Sequence, residues 1–554
     1  MKNPRTLIIS LVLIIMFITS VNTVSFSQGK SIEELYFQGV DLLENKKQYE
    51  EALTYFQRII ELDPGHAEAH FQIGKIFRNT RQFEKAITYY KNAINLKPDY
   101  SSAYYELGLV YLELKKNKDA LEAFKEAVRS KPDFASAHYG LGLAYNELER
   151  YNESIAAFQQ ALLLDPEDAQ TYYGLGITYE RIGEYQKSID NLKKAVYFQS
   201  DYGKAFYHLG MNYQKMEKYP EAVENLEKAA NFLPDSAGEI YYTIGMIYRK
   251  MENKEALEAF KQAIRSKPDF ASAHYGLGLA YNELERYDES IAAFQQALLL
   301  DPEDAQTYYG LGITYERIGE YQKSIDNLKK AVYFQPDYGK AFYYLGMNYQ
   351  KMEKYPEAVE NLEKAANFLP DSADEIYYTI GMIYRKMENN EDAAIESFKK
   401  ATQKNPQYAD AFFYLGWLYN KKGDYEKTME AYQEVIRINP DYTYIYYNLG
   451  WAYGELEKYQ EAVDAFKEAV KQNPEDADFH YGLGWAYRQL KDYEKAIESF
   501  KQVIRIQPDY TFAHYSLGMI YLVQGDKNAA LDEYKILKDL DQDTADKLFD
   551  MIYK

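Results

Sequence analysis

The sequence predicts an all-α repeat protein, and three observations carry that reading. Proline recurs every 34 residues, at Pro64, Pro98, Pro132 and Pro166, at Pro234, Pro268, Pro302, Pro336 and Pro370, and at Pro406, Pro440, Pro474 and Pro508. Between these prolines apolar residues return at spacings of three and four, the signature of a helix with one buried face. After the first segment, no stretch alternates apolar and polar with the period of two that a strand requires. At 554 residues the chain exceeds what one core holds, and an array of small units accommodates that length.

The first segment differs in kind. Lys2 and Arg5 precede the run LIISLVLIIMFI at residues 7–18, and small residues Ser25 and Ser27 stand before Gln28. Twelve apolar-dominated residues fall short of the roughly 20 that span a bilayer. Residues 1–27 therefore read as a secretory signal peptide, with 28–31 as a linker. The alternative is an uncleaved anchor whose run extends weakly to Phe26. Either reading puts the remainder outside the cytoplasm, as a periplasmic or secreted protein or as one anchored at its N-terminus and facing outward.

From residue 32 to 542 the chain reads as fifteen tandem units of two helices. One unit is ASAHYGLGLAYNEL followed by ERYNESIAAFQQALLLDP, with the proline ending the second helix. Every unit has glycine at its eighth place, from Gly39, Gly74, Gly108 and Gly142 to Gly484 and Gly518. A mid-helix glycine costs about 1 kcal/mol against alanine, so its recurrence predicts helix backbones too close for a side chain. Ala86, Ala120, Ser154, Ser188, Ala222 and Ala256 supply small residues opposite, and Pro220 and Pro356 fall where a first helical turn tolerates them. The unit near Gly238 gains a residue before its glycine, and its later copy near Asp374 is two residues longer, both read as loop adjustments. Residues 543–554, ADKLFDMIYK with its two preceding residues, read as a C-terminal capping helix.

His138, Leu141, Gly142, Tyr145, Ser154, Phe158 and Pro166 follow the pattern W-x2-L-G-x2-Y, A-x3-F, P at a 34-residue period. This resembles the tetratricopeptide repeat. The resemblance implies a superhelical solenoid of antiparallel helix pairs whose first helices line a concave face on which partners lie.

Residues 129–253 recur as 265–389, differing only at Asn152/Asp288, Ser200/Pro336, His208/Tyr344 and Gly238/Asp374. The offset of 136 residues is four units, so the copy stays in phase. A single catalytic constellation gains nothing from being copied, whereas length or multiplicity of contact does. No enzyme, cofactor or metal site is expected. GLG at 140–142 lies inside a predicted helix and lacks the third glycine of a dinucleotide loop. His66 and His70 stand four apart, yet His70 occupies the fourth place also held by His138, His274, His480 and His514. Cysteine is absent, which removes thiolate metal sites and disulfides. With 85 acidic against 64 basic residues and a net charge of -21, nucleic acid is not an expected partner.

Expected partners are other proteins or peptide segments, with self-association as a further reading and the membrane reached only through an uncleaved N-terminus. The candidate surface is the inner face. Its fifth places carry Tyr139, Tyr173, Tyr207, Tyr275, Tyr309, Tyr343, Tyr447 and Tyr481. Its ninth places carry Met211, Met347, Trp417, Trp451 and Trp485, and Arg249 and Arg385 stand near the ends of first helices. Tyrosine suits binding and packing alike, and the tryptophans either present an apolar stripe or are buried by their own chain. The sequence thus points to an exported, non-enzymatic interaction scaffold, with a self-assembling envelope component or an accessory of polysaccharide or protein export as alternatives.

Overall fold

The computed structural model describes residues 30–387 and 389–554. The expected leader at 1–27 and the first half of the 28–31 linker lie outside the described residues. Among the described residues thirty-one α-helices follow one another, with two short 3-10 turns and no strand. The chain divides into two compact units, Met1–Ala280 and Tyr281–Lys554. In each, consecutive helices pack as antiparallel pairs, Ala135–Glu147 with Tyr151–Leu164 in the first unit and Ala305–Arg317 with Tyr321–Phe334 in the second.

The pairs are set by how their helices stop. The first helix of a pair ends on a residue in the left-handed region, Glu149 at φ 59° or Gly183 at φ 80°. The following amide then reaches back, as Arg150 N–H does to the Tyr145 carbonyl at 2.9 Å and Glu184 to Tyr179 at 3.0 Å. The second helix ends on an extended residue before the proline, as Asp165 does at φ -135° and ψ 90° before Pro166, because proline disfavours the helical region for its predecessor.

The recurrent glycine has a different cause from the expected one. A Cβ on Gly142 would lie 2.5 Å from the ring of Phe158, and one on Gly174, in the next first helix, would lie 2.8 Å from the same ring. Phe124 is seated likewise between Gly108 and Gly140, Phe260 between Gly245 and Gly276, and Phe466 between Gly450 and Gly482. Each of these rings is fully buried. What requires glycine is therefore chiefly an aromatic side chain from the second helix, inserted between two first helices, and not backbone meeting backbone. At Gly210 and its copy Gly346 a carbonyl, of Ala222 or Ala358, also comes as close as 3.0 Å.

Several seats trade volume between the two sides. Where the inserted side chain is leucine, at Leu192, Leu226, Leu328 and Leu362, the sixth place of the next unit is larger, being His208, Thr243, Tyr344 and Thr379. Close-packed interiors impose this trade. Other aromatic seats depart from it: the sixth places that follow Phe56, Tyr90, Tyr432 and Phe500 are Gln72, Glu106, Asn448 and Ser516, and Phe398 accommodates Tyr414 by stacking, with centroids 5.6 Å apart and planes at 15°.

Fourth-place histidines tie one unit to the loop before it. Nε2 of His138, His274, His480 and His514 lies 2.9, 3.3, 2.8 and 2.9 Å from the carbonyl of the proline six residues earlier. His70 makes the same, longer contact with Pro64, at 3.4 Å, while His66 Nδ1 accepts the Ala69 amide at 3.1 Å. Both histidines of that pair are thus engaged with backbone. His514 is further occupied, its Nδ1 2.6 Å from Glu533 Oε2 with the ring 3% exposed.

The irregular units differ from expectation in detail. The extra residue before Gly245 and Gly381 is taken up by the 3-10 turns Pro234–Ser236 and Pro370–Ser372 and by first helices of fourteen residues, so it enters the helix and not a loop. The later copy's two added residues allow a second helix Glu391–Lys404 of fourteen residues in place of the eleven in Ala256–Ser266. The final helix spans Gln542–Tyr553, started by the Asp541 side chain accepting from Asp543 and Thr544. Its Leu548 covers Gly518, the role that a second-helix side chain plays elsewhere.

Two outcomes follow from this packing. Gly174→Thr adds volume beneath Phe158 and is expected to cost about 1–3 kcal/mol of stability. Adding Phe158→Leu, the pairing seen at Leu226 and Thr243, should restore at least about 1 kcal/mol in a double-mutant cycle of urea midpoints. Additive losses would show that the ring and the glycine are not coupled.

Burial alone would lower the His514 pKa, but the Glu533 hydrogen bond, the Pro508 carbonyl and the Glu533 charge together raise it above 6.5. A raised folded-state pKa stabilises fully below the unfolded value near 6.5 and loses that contribution as pH climbs through the folded value. The thermal midpoint of the wild type should therefore exceed that of His514→Gln most below pH 6.5, with the gap narrowing at higher pH. A gap independent of pH would exclude the charged imidazole.

Candidate functional site

First helices of neighbouring units lie directly against one another, as Ser101–Glu113 does against Ala135–Glu147 and Ala135–Glu147 against Ala169–Arg181. Their fifth and ninth places share one face, since residues four apart on a helix are neighbours. This face carries the candidate residues.

The eight candidate tyrosines at fifth places are all half-buried. Tyr139 packs on Phe158 with centroids 5.7 Å apart. Tyr173 meets Tyr202 at 4.9 Å and His208 at 5.8 Å, and Tyr309 meets Tyr338 at 5.0 Å and Tyr344 at 5.9 Å. Tyr447 lies on Phe466 and Phe479, and Tyr481 on Phe500 and Tyr510. Tyr207 and Tyr343 contact the rings of His208 and Tyr344. Tyr275 is half-buried like the rest. Tyr139, Tyr447 and Tyr481 therefore pack on the inserted aromatic side chain and leave part of their surface open. Burial pushes the Tyr139 phenol up to about 12 and also raises Tyr173, Tyr343 and Tyr447. These hydroxyls stay protonated donors at physiological pH.

The ninth places diverge along the chain. Met211 and Met347 are partly buried against their local cores. Trp451 and Trp485 form a pair with centroids 4.9 Å apart and planes at 47°. Trp451 also meets Phe466 edge-on at 5.4 Å, and Trp485 roofs Gly454, where a Cβ would lie 2.6 Å from the indole. Trp417 is 40% exposed and lies under the Arg385 guanidinium at 5.5 Å. The expected stripe of three indoles is thus a packed pair and a separate, more open third.

Arg385 also covers Tyr414 at 4.5 Å and approaches Met382 Sδ at 3.4 Å, while Arg249 Nη1 stands 3.6 Å from Met246 Sδ. Other cations at first-helix ends bridge to the preceding unit: Arg181 to Glu147 and the Asn146 carbonyl, Arg317 to the Asn282 carbonyl, Lys421 to Glu391. Much of the positive charge at these helix ends is therefore already paired.

Sequence reasoning overlooked a polar cluster on this face. Glu180 receives His208 Nδ1 at 3.0 Å and Asn212 Nδ2 at 3.0 Å, and Asn212 also donates to Ser188 Oγ at 2.9 Å. In the copy, Asn348 keeps its bond to Ser324 at 2.9 Å, but Tyr344 replaces the histidine. The signal was available, because His208/Tyr344 is one of the four differences between the copies. Among the described residues no cluster of three metal-ligating side chains occurs, and no helix is long and apolar enough to cross a membrane.

Profiles described as tetratricopeptide repeat match residues 105–162, 242–298 and 447–511, 201–269, 397–430, 340–372, and 33–66, 169–202, 305–338 and 374–408. One described as TPR repeat matches 74–115, 142–183, 278–319 and 417–457. No curated protein matches the chain. Solved structures similar to it include YrrB, titled a TPR protein with an unusual peptide-binding site, at 24% identity over 32% of this chain and 93% of that one, with a TM-score of 0.29. MamA from Desulfovibrio magneticus RS-1 is 27% identical over 32% of this chain and 99% of that one, with a TM-score of 0.29. The APC/C hetero-tetramer Cut9-Hcn1 is 17% identical over 90% and 97%, with a TM-score of 0.33. Between residues 33 and 511 the matched profiles leave only 67–73, 339 and 373 uncovered, and the chain belongs to the tetratricopeptide repeat family.

Proposed function

We propose that the chain is a non-catalytic scaffold that binds other proteins or peptide segments along the faces of its first helices, outside the cytoplasm. The observation that carries this reading is the run of half-open rings at the fifth places, present in unit after unit and joined at the ninth places by Trp417, Trp451 and Trp485. Partly exposed aromatic side chains held rigid by packing on one side are favourable anchors, since little rotamer freedom remains to be lost on binding. Trp417 fits that role best, with open indole surface beside the Arg385 guanidinium. The layout of residues 1–27 supports export.

Affinity capture of the exported form after crosslinking in its native envelope identifies the partner, and binding to it can then be titrated. Trp417→Ala is expected to weaken binding by more than about 1 kcal/mol without moving the thermal midpoint. Trp451→Ala should lower both, because that indole also packs on Phe466 and Trp485. Undiminished affinity in both variants would remove this face from consideration. For the export reading, N-terminal sequencing of the purified cellular protein is expected to begin at Gln28; recovery of intact Met1 would favour the anchored form.

A further inference from the structure

The outward side of the second helices carries a pattern that the inner face does not explain. The thirteenth residue of each full-length second helix points to solvent near the closing proline, and its identity is almost always polar: Glu61, Asn95, Arg129, Asn231, Asn367, Gln403, Arg437, Lys471, Arg505 and Asp539. Four places break the rule. They are Leu163 and Tyr197, in consecutive units, and their copies Leu299 and Tyr333. Their exposures are 73%, 80%, 72% and 78%. Leu164 and Phe198 beside them, and Leu300 and Phe334 in the copy, add further open apolar surface. Tyr197 is also held in place, its ring edge-on to Phe198 at 5.1 Å, which in turn stacks on Tyr172 at 5.7 Å. The copy repeats both contacts.

A large aromatic and a leucine left in water at consecutive outward positions, where every counterpart is polar, mark an interaction surface. Its charges suggest the occupant. Exposed Asp165 and Glu167 follow Leu163, while exposed Lys193 and Lys194 precede Tyr197 by one turn. Lys194 is already positioned over the Tyr172 ring at 5.2 Å. Such a patch is acidic at its leucine end and net basic at its tyrosine end, where exposed Asp201 offsets one of the two lysines. Turned by a two-fold axis it complements itself, leucine against tyrosine and carboxylates against lysines, as an isologous contact demands.

We propose that the Leu163–Tyr197 patch and its Leu299–Tyr333 copy bind a second copy of this chain through its matching patch. One patch offers far less than the roughly 1,200 Å² that a stable interface buries, so a single contact is weak. The 136-residue duplication supplies each chain with two, one in each compact unit.

Sedimentation equilibrium of the full chain across the micromolar range tests this. The wild type should show a mass that rises with concentration. Leu163→Asn, Tyr197→Asn, Leu299→Asn and Tyr333→Asn together, importing the residue found at Asn95 and Asn231, should weaken association at least about tenfold, equivalent to 1.4 kcal/mol. In a chain keeping only the first patch, Glu167→Lys or Lys194→Glu alone should weaken dimers further, and the two together should restore them. Equal masses for the wild type and the four-site variant, whether both monomeric or both associated, would overturn the proposal, as would failure of the charge exchange to rescue. None of these residues belongs to the inner face, so the outcome is separate from that of the partner-binding tests.

Discussion

The fold rests on a second-helix side chain seated over the glycine of its own first helix, and at Phe124, Phe158, Phe260 and Phe466 that side chain is a ring clasped between two glycines. A solenoid needs each helix pair to bind its own partner helix and the next unit through one side chain, and Phe158 does both by filling the spaces over Gly142 and Gly174. Removing either Cβ brings two first helices onto one buried aromatic surface, and burying such a ring contributes about 1.5–3 kcal/mol. That outweighs the helix propensity a single glycine gives up, about 1 kcal/mol. The trade holds separately at each joint that has such a ring, and unit and interface terms sum along the array.

The same ring fixes the inner surface. Tyr139 packs on Phe158 and Tyr447 on Phe466, so the seat that holds the units together also props the fifth-place ring at a set height. Packing and accessibility are consequences of one contact here. A residue can serve as scaffold on one edge and as open surface on the other, and the choice between the two roles posed by the sequence is not a choice at the level of atoms.

Period, helix pairing, the closing prolines and the final helix were legible in the letters, because each is a local signal repeated many times. The glycine at Gly142 was legible as a close approach, but its partner was misjudged: the ring that needs it is sixteen residues away and its second glycine another sixteen beyond. The exchange of volume between Leu192 and His208, or Phe158 and Gly174, joins positions on different units and is invisible without knowing which side chains share a seat. Likewise the three tryptophans occupy equivalent places, yet the neighbours differ. Gly454 makes room for Trp485, and Arg385 overlies Trp417. Register told where each indole would stand and not what would stand beside it. The fourth-place histidines were legible as structural, while the carbonyl they reach was not.

The two near-identical runs also bear on how the chain reaches its native state. Correct seating joins residues a few tens of positions apart, which makes for low contact order and rapid, unit-by-unit folding. Yet a helix from the second run fits the seat vacated by its twin 136 residues upstream nearly as well. Loop-closure entropy separates the two closures by only about 1 kcal/mol. The native closure also keeps one more interface between units, but before those interfaces form the order in which segments emerge does the sorting. A chain that folds from its N-terminus as it appears meets the proper neighbour first, whereas one refolded from denaturant meets both at once and is exposed to skipped-register traps.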